Sequence, residues 1–212
     1  MPSLDDLAEL IRHVLDDIDT AREHALPASR EIIRLSATAI KHVHRAEWAE
    51  ARELLGQTGA AVRELRQKVD GQPAISSAGF VQDAQKEYAE AVLTYAFVRG
   101  EELPHPDDIG VEPAPYLNGI AEALGELRRY CLDSIRVGRL EEAERVLAAM
   151  DSIYYTLVTF DYPDAVSQGL RRRVDADRGI LERTRGDLTN ALRQSKLESA
   201  MARLEGTIES KG

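Results

Sequence analysis

At 212 residues, 43% apolar and 30% charged, the chain is long enough to bury a sizeable core in one domain and too apolar for a disordered polymer. Its net charge of −10 disfavours adhesion of the whole surface to nucleic acid, so any site for a polyanion must be a local basic patch. Cys131 is the only cysteine, which excludes an internal disulfide and a cysteine-based zinc site, and the five histidines form no HExxH arrangement of a zinc hydrolase.

Gly and Pro fall at the joints between amphipathic runs, and seven helices are predicted in chain order. Residues 5–25 carry Leu7, Leu10, Ile11, Val14 and Ile18 at helical spacing, with Pro27 closing the run. A second helix runs over 27–45 with its proline in the first turn, where a missing N–H does no harm. Helices follow at 47–69 and 77–99, then a long loop at 100–113, then helices at 115–137, 140–160 and 165–205. The whole chain, 1–212, reads as one helical domain with a fraying tail from about 196. No run alternates as a β-strand does. No stretch approaches the roughly 20 apolar residues of a membrane span, and the acidic start is unlike a signal peptide. A soluble, cytoplasmic protein without membrane association is expected.

Three helices carry residues with chemistry to offer. Arg30, Arg34, Lys41 and Arg45 fall within roughly 60° of one another at about 100° per residue, a cationic stripe suited to phosphate. A solvated helix face has the same look. In the segment VQDAQKEYAEAVLTYAFV, Asp83, Glu87 and Glu90 group together between two apolar patches, one around Phe80, Ala84, Tyr88 and Tyr95, the other Leu93 and Phe97. The first patch suits the bundle's own core and the second a neighbouring subunit. On the next long helix Glu122, Glu126, Arg129 and Asp133 line up opposite Leu117, Ile120, Leu124, Leu127 and Cys131, which taken alone describes an ordinary amphipathic helix. If the two helices met, their carboxylates would suit Mg²⁺ or Mn²⁺, which prefer oxygen ligands.

The segment KEYAEAV (86–92), followed by YLNGIAEALGELRRYCLDSI (116–135), resembles the QEYVEA and YLxGxxDLxGELxRxxxNS motifs of the translin and translin-associated factor X (TRAX) family. YYTLVTFDYPDAVSQGLRRRVDADRGILERTRGDL (154–188) resembles the family's aromatic helix end, short turn and long basic final helix. The likeness spans about residues 30–192 and lies nearer the TRAX side, among prokaryotic members. It implies a seven-helix α/α bundle of translin type, assembled as a hollow homo-octamer that cleaves single-stranded RNA on its inner wall with Mg²⁺ (or Mn²⁺). It implies Glu87, Glu90 and Glu122 as catalytic, metal-holding acids, with Glu126 of GEL joining them. On that reading the cationic stripe of Arg30, Arg34, Lys41 and Arg45 guides RNA phosphates. Glu122 stands where the family usually has Asp, and Asp133 where it commonly has Asn. The competing expectations are a non-catalytic protein binding single-stranded RNA or DNA, as translin-like members do, and a helical scaffold for another protein.

Overall fold

The same Gly and Pro punctuation produces a helical bundle in the computed structural model, which describes residues 2–210 and has no strand among them. Six long helices, α1 (Leu4–His44), α2 (Trp48–Lys68), α4 (Gly79–Arg99), α6 (Pro113–Arg136), α7 (Leu140–Leu157) and α9 (Leu170–Glu209), are joined with three single-turn helices. The short ones are α3 (Pro73–Ser76), α5 (Pro106–Ile109), inside the segment expected as loop, and α8 (Asp164–Ser167). No helix among the described residues is long and apolar enough to cross a membrane.

The all-α expectation holds, with two boundaries drawn differently. The helices expected at 5–25 and 27–45 are one continuous α1 with Pro27 inside it. An internal proline removes one hydrogen bond and crowds a turn, at a cost of about 3 kcal/mol. That cost is offset beyond the proline, where Ile32, Ala39, Ile40 and Val43 are buried against the bundle. At the other end, the helix expected at 165–205 is divided, because Gln168 and Gly169 adopt positive φ angles of 54° and 81° that no α-helix continues through. From there α9 runs unbroken to Glu209; Gly212 lies outside the described residues.

The core sits around α4, which packs against α1, α6 and α2, while α6 in turn packs against α7 and α9. Burial on several sides explains why α4 carries apolar residues around most of its circumference. It also changes the reading of the second apolar patch: Leu93 is fully buried and Phe97 packs against the same core, so both patches are covered within this chain. Exposed apolar side chains lie elsewhere. Leu4, Leu7, Leu10, Ile11, Val14 and Leu15 in the first half of α1, and Leu197, Met201, Leu204 and Ile208 in the last part of α9, face outward. The apolar periodicity predicted for residues 5–25 is therefore real, but most of it covers no core within the chain.

Candidate metal centre

The centre is built where α4 and α6 cross at close range. Gly119 makes this possible, since a Cβ there would stand 2.7 Å from the Ala89 Cβ and 2.9 Å from both the Glu90 nitrogen and the Lys86 carbonyl oxygen. Those separations are shorter than side-chain atoms tolerate, so only glycine admits this approach. One turn beyond Gly119, Glu122 is brought opposite the 86–90 turn of α4. On the other side Tyr88 is buried with its hydroxyl against Gly59 of α2, which fixes the rotation of α4.

One carboxylate oxygen from each of Glu87, Glu90 and Glu122 lies within 4.8 Å of the other two. Glu90 is buried, and its carboxyl has no hydrogen bond or ion pair with any other described residue. Burial, reinforced by repulsion from Glu87, Glu122 and Glu126, pushes its pKa up to about 8. Three carboxylates so close, one of them buried without a partner, are a set of hard oxygen donors that fits Mg²⁺ or Mn²⁺. Asp83, grouped with these acids by helical periodicity, is exposed and stands apart from them.

Around the triad lies a ring of charges drawn from four helices. The Lys86 ammonium reaches Glu122 at 2.6 and 2.8 Å and Glu87 at 3.1 Å. Burial works against that charge, but the two carboxylates hold its pKa above the ordinary lysine value. Arg173 of α9 donates from Nε to Glu122 at 3.0 Å and from Nη1 to Asn118 Oδ1 at 2.9 Å and the Gln168 carbonyl at 3.1 Å. Asn118 donates to the Ser167 carbonyl at 2.8 Å, so the start of α9 is tied to α6 beside the acids. One turn along, Asp177 is 5% exposed and its Oδ2 is buried without a hydrogen-bond partner among the described residues. Desolvation outweighs the pull of Arg173, and its pKa rises to about 7.

Glu126 stands next to the triad rather than within it. Its Oε2 lies 2.5 Å from His44 Nε2, and this hydrogen bond lowers its pKa below the usual glutamate range. All four residues of the cationic stripe, Arg30, Arg34 and Lys41 on α1 and Arg45 at its C-cap, are exposed. Arg34 is paired with Glu31 at 2.5 and 2.8 Å, whereas Arg30, Lys41 and Arg45 make no ion pair among the described residues.

Lys86, His44, Asn118, Arg173 and Asp177 were not among the residues singled out in the sequence. His44 and Arg173 lie 82 and 51 positions from their glutamate partners, beyond any local pattern. Lys86 did leave a signal, since residues 86–91 read KEYAEA where the family motif they resemble reads QEYVEA.

No protein-family model matches the chain. An uncharacterised protein of Methanocaldococcus jannaschii is 30% identical over 205 residues, covering 96% of this chain and 90% of that protein. Among solved structures, AfC3PO from Archaeoglobus is 33% identical with a TM-score of 0.81, covering 88% of this chain and 97% of its own. The chain belongs to the translin family. AfC3PO in complex with duplex RNA is similar at 34% identity and a TM-score of 0.77, over the same shares of both chains. A translin-type C3PO from Neurospora, 21% identical with a TM-score of 0.76 over 90% and 98% of the two chains, shares the fold.

Proposed function

We propose that this translin-family chain, working as one domain over 1–212, is a cytoplasmic Mg²⁺- or Mn²⁺-dependent endoribonuclease that cleaves single-stranded RNA. The observation that carries the reading is the convergence of Glu87, Glu90 and Glu122 within 4.8 Å, with Glu90 buried and without a hydrogen-bond partner among the described residues. The Lys86 ammonium contacts Glu87 and Glu122 but leaves Glu90 without a cation of its own, its pKa still raised, and the oxygens of the three are the ligands a divalent cation prefers. When bound, the metal supplies charge neutralisation at the phosphodiester and acidifies the attacking water.

The chain's own groups then have distinct tasks. Glu87, Glu90 and Glu122 hold the ion, and Arg173 orients Glu122 from the far side. Glu126, fixed by His44, adds negative potential beside Glu90 and strengthens its attraction for a cation. Arg30, Lys41 and Arg45 offer exposed charge to RNA phosphates, and Arg34 does so with part of its charge engaged by Glu31. The complex of AfC3PO with duplex RNA supports RNA as the polymer bound. Exposed apolar stripes on the first half of α1 and the end of α9 support a homo-oligomer that covers them, for which the family suggests an octamer.

Purified protein should cut single-stranded RNA with Mg²⁺ and stop when Glu87 and Glu90 are both changed to alanine. Unchanged cleavage by the double variant overturns the assignment. Binding of single-stranded RNA or DNA that falls steeply with salt, is indifferent to metal and leads to no cleavage identifies the non-catalytic alternative.

A further inference from the structure

Lys86 is the cation in closest contact with the acids, and the metal reading leaves it without a task. Its side chain is 12% exposed, and its ammonium contacts both oxygens of Glu122 and one of Glu87. With Arg173 also donating to Glu122 Oε1, the oxygens Glu122 would offer a metal are already engaged by cations. We infer that the Lys86 ammonium is a resident counter-cation of the centre, lodged between Glu87 and Glu122 in the metal-free protein and expelled when a divalent ion enters. The inference rests on the metal-binding reading above.

The physical case is one of mutual exclusion. A divalent ion held by Glu87 and Glu122 would share carboxylate oxygens with an ammonium only 2.6 to 3.1 Å from them, and two cations at such range repel strongly in a partly buried site. Lysine suits a reversible plug, being a point charge on a flexible four-carbon stem. Arginine at 173 does not, because its fork is also spent on Asn118 and the Gln168 carbonyl. The consequence for this chain is a weakened apparent affinity for metal and an acid cluster that remains partly neutralised when metal is scarce.

The test is calorimetric titration of Mn²⁺ into metal-free wild type, Lys86→Gln, Lys86→Arg and Glu90→Gln, with thermal unfolding of each variant with and without Mn²⁺. Lys86→Gln should bind Mn²⁺ at least about tenfold more tightly than wild type and gain more in melting temperature from the metal. Lys86→Arg, which keeps the charge, should stay near wild type, and Glu90→Gln should lose binding. Tight binding by Lys86→Gln with none detectable in wild type supports the exchange equally well. Equal affinities for wild type and Lys86→Gln, with binding lost in Glu90→Gln, overturn the counter-cation and leave the metal centre standing. Equal tightening by Lys86→Arg and Lys86→Gln makes side-chain shape responsible and overturns it too. Absence of binding in every variant removes both.

Discussion

His44 Nε2 stands 2.5 Å from Glu126 Oε2, joining α1 to α6 across 82 positions of sequence. The imidazole is almost fully enclosed, with a side chain only 4% exposed, and its Nδ1 is buried without a hydrogen-bond partner among the described residues. The contact couples the helix bearing the basic stripe to the helix bearing two of the acids. Replacing His44 with alanine leaves Glu126 only the distant Arg129, at 4.0 Å.

His44→Ala should therefore lower stability at pH 7 by about 2 kcal/mol, the loss expected when a partly buried charged group is left without its hydrogen-bond partner. The His44 bond depresses the pKa of Glu126, so the stability it contributes is full above the ordinary value of 4.5 and is lost as pH falls through the depressed one. Urea unfolding at pH 7 and at acid pH should show the gap between variant and wild type narrowing in acid. A gap that is constant with pH would rule out this linkage.

Glu90 has the opposite sign. Its folded pKa of about 8, raised first by burial and then by its acidic neighbours, lies above the 4.5 it takes on in the unfolded chain. Between those values the unfolded state binds fewer protons, so metal-free stability should fall as pH rises from 4.5 to 8. Glu90→Gln should flatten this slope and be more stable than wild type at pH 8 by on the order of 4 kcal/mol. Asp177→Asn should act in the same direction, since burial raises Asp177 to about 7. Stability profiles parallel to wild type in both variants would contradict these assignments.

Gly119→Ala tests the helix crossing. The added methyl meets the Ala89 side chain and the backbone of α4 at 2.7 to 2.9 Å, and backbone has nowhere to swing aside. Overpacking of this kind costs about 1 to 3 kcal/mol. Because the displaced helix carries Glu122, Mn²⁺ affinity should fall together with stability. A variant with wild-type stability and metal binding would show that the close approach does not set the centre.

The basic stripe is tested by salt. Changing Arg30, Lys41 and Arg45 to alanine should weaken single-stranded RNA binding and reduce the slope of log affinity against log salt by up to about 2, at roughly 0.7 per neutralised phosphate contact. Arg34→Ala alone should have a smaller effect than any of the three, because its guanidinium is already paired with Glu31. A slope unchanged in the triple variant would place the phosphate contacts elsewhere.

The amino-acid order by itself determined the all-helical character, most helix ends, and the grouping of Glu87 with Glu90 and of Glu122 with Glu126. These are properties of short windows, in which 3.6-residue periodicity and the turn preferences of Gly and Pro act within a few residues. The fusion of α1 through Pro27 was not legible, because the burial that offsets the proline comes from α2 and α4. Nor was the exposure of the apolar residues early in α1, since periodicity reports that a face is apolar and not whether anything covers it. The acid stripe of α6 has the local pattern of a solvated face, and only its packing against α4 brought Glu122 to Glu87 and Glu90. Tertiary structure alone decided that Lys86, Arg173 and His44 answer those charges. The reason is physical: a Coulombic or hydrogen-bonding partner is chosen by distance in space, and helix crossings set that distance through contacts such as Gly119 on Ala89, which no single helix contains.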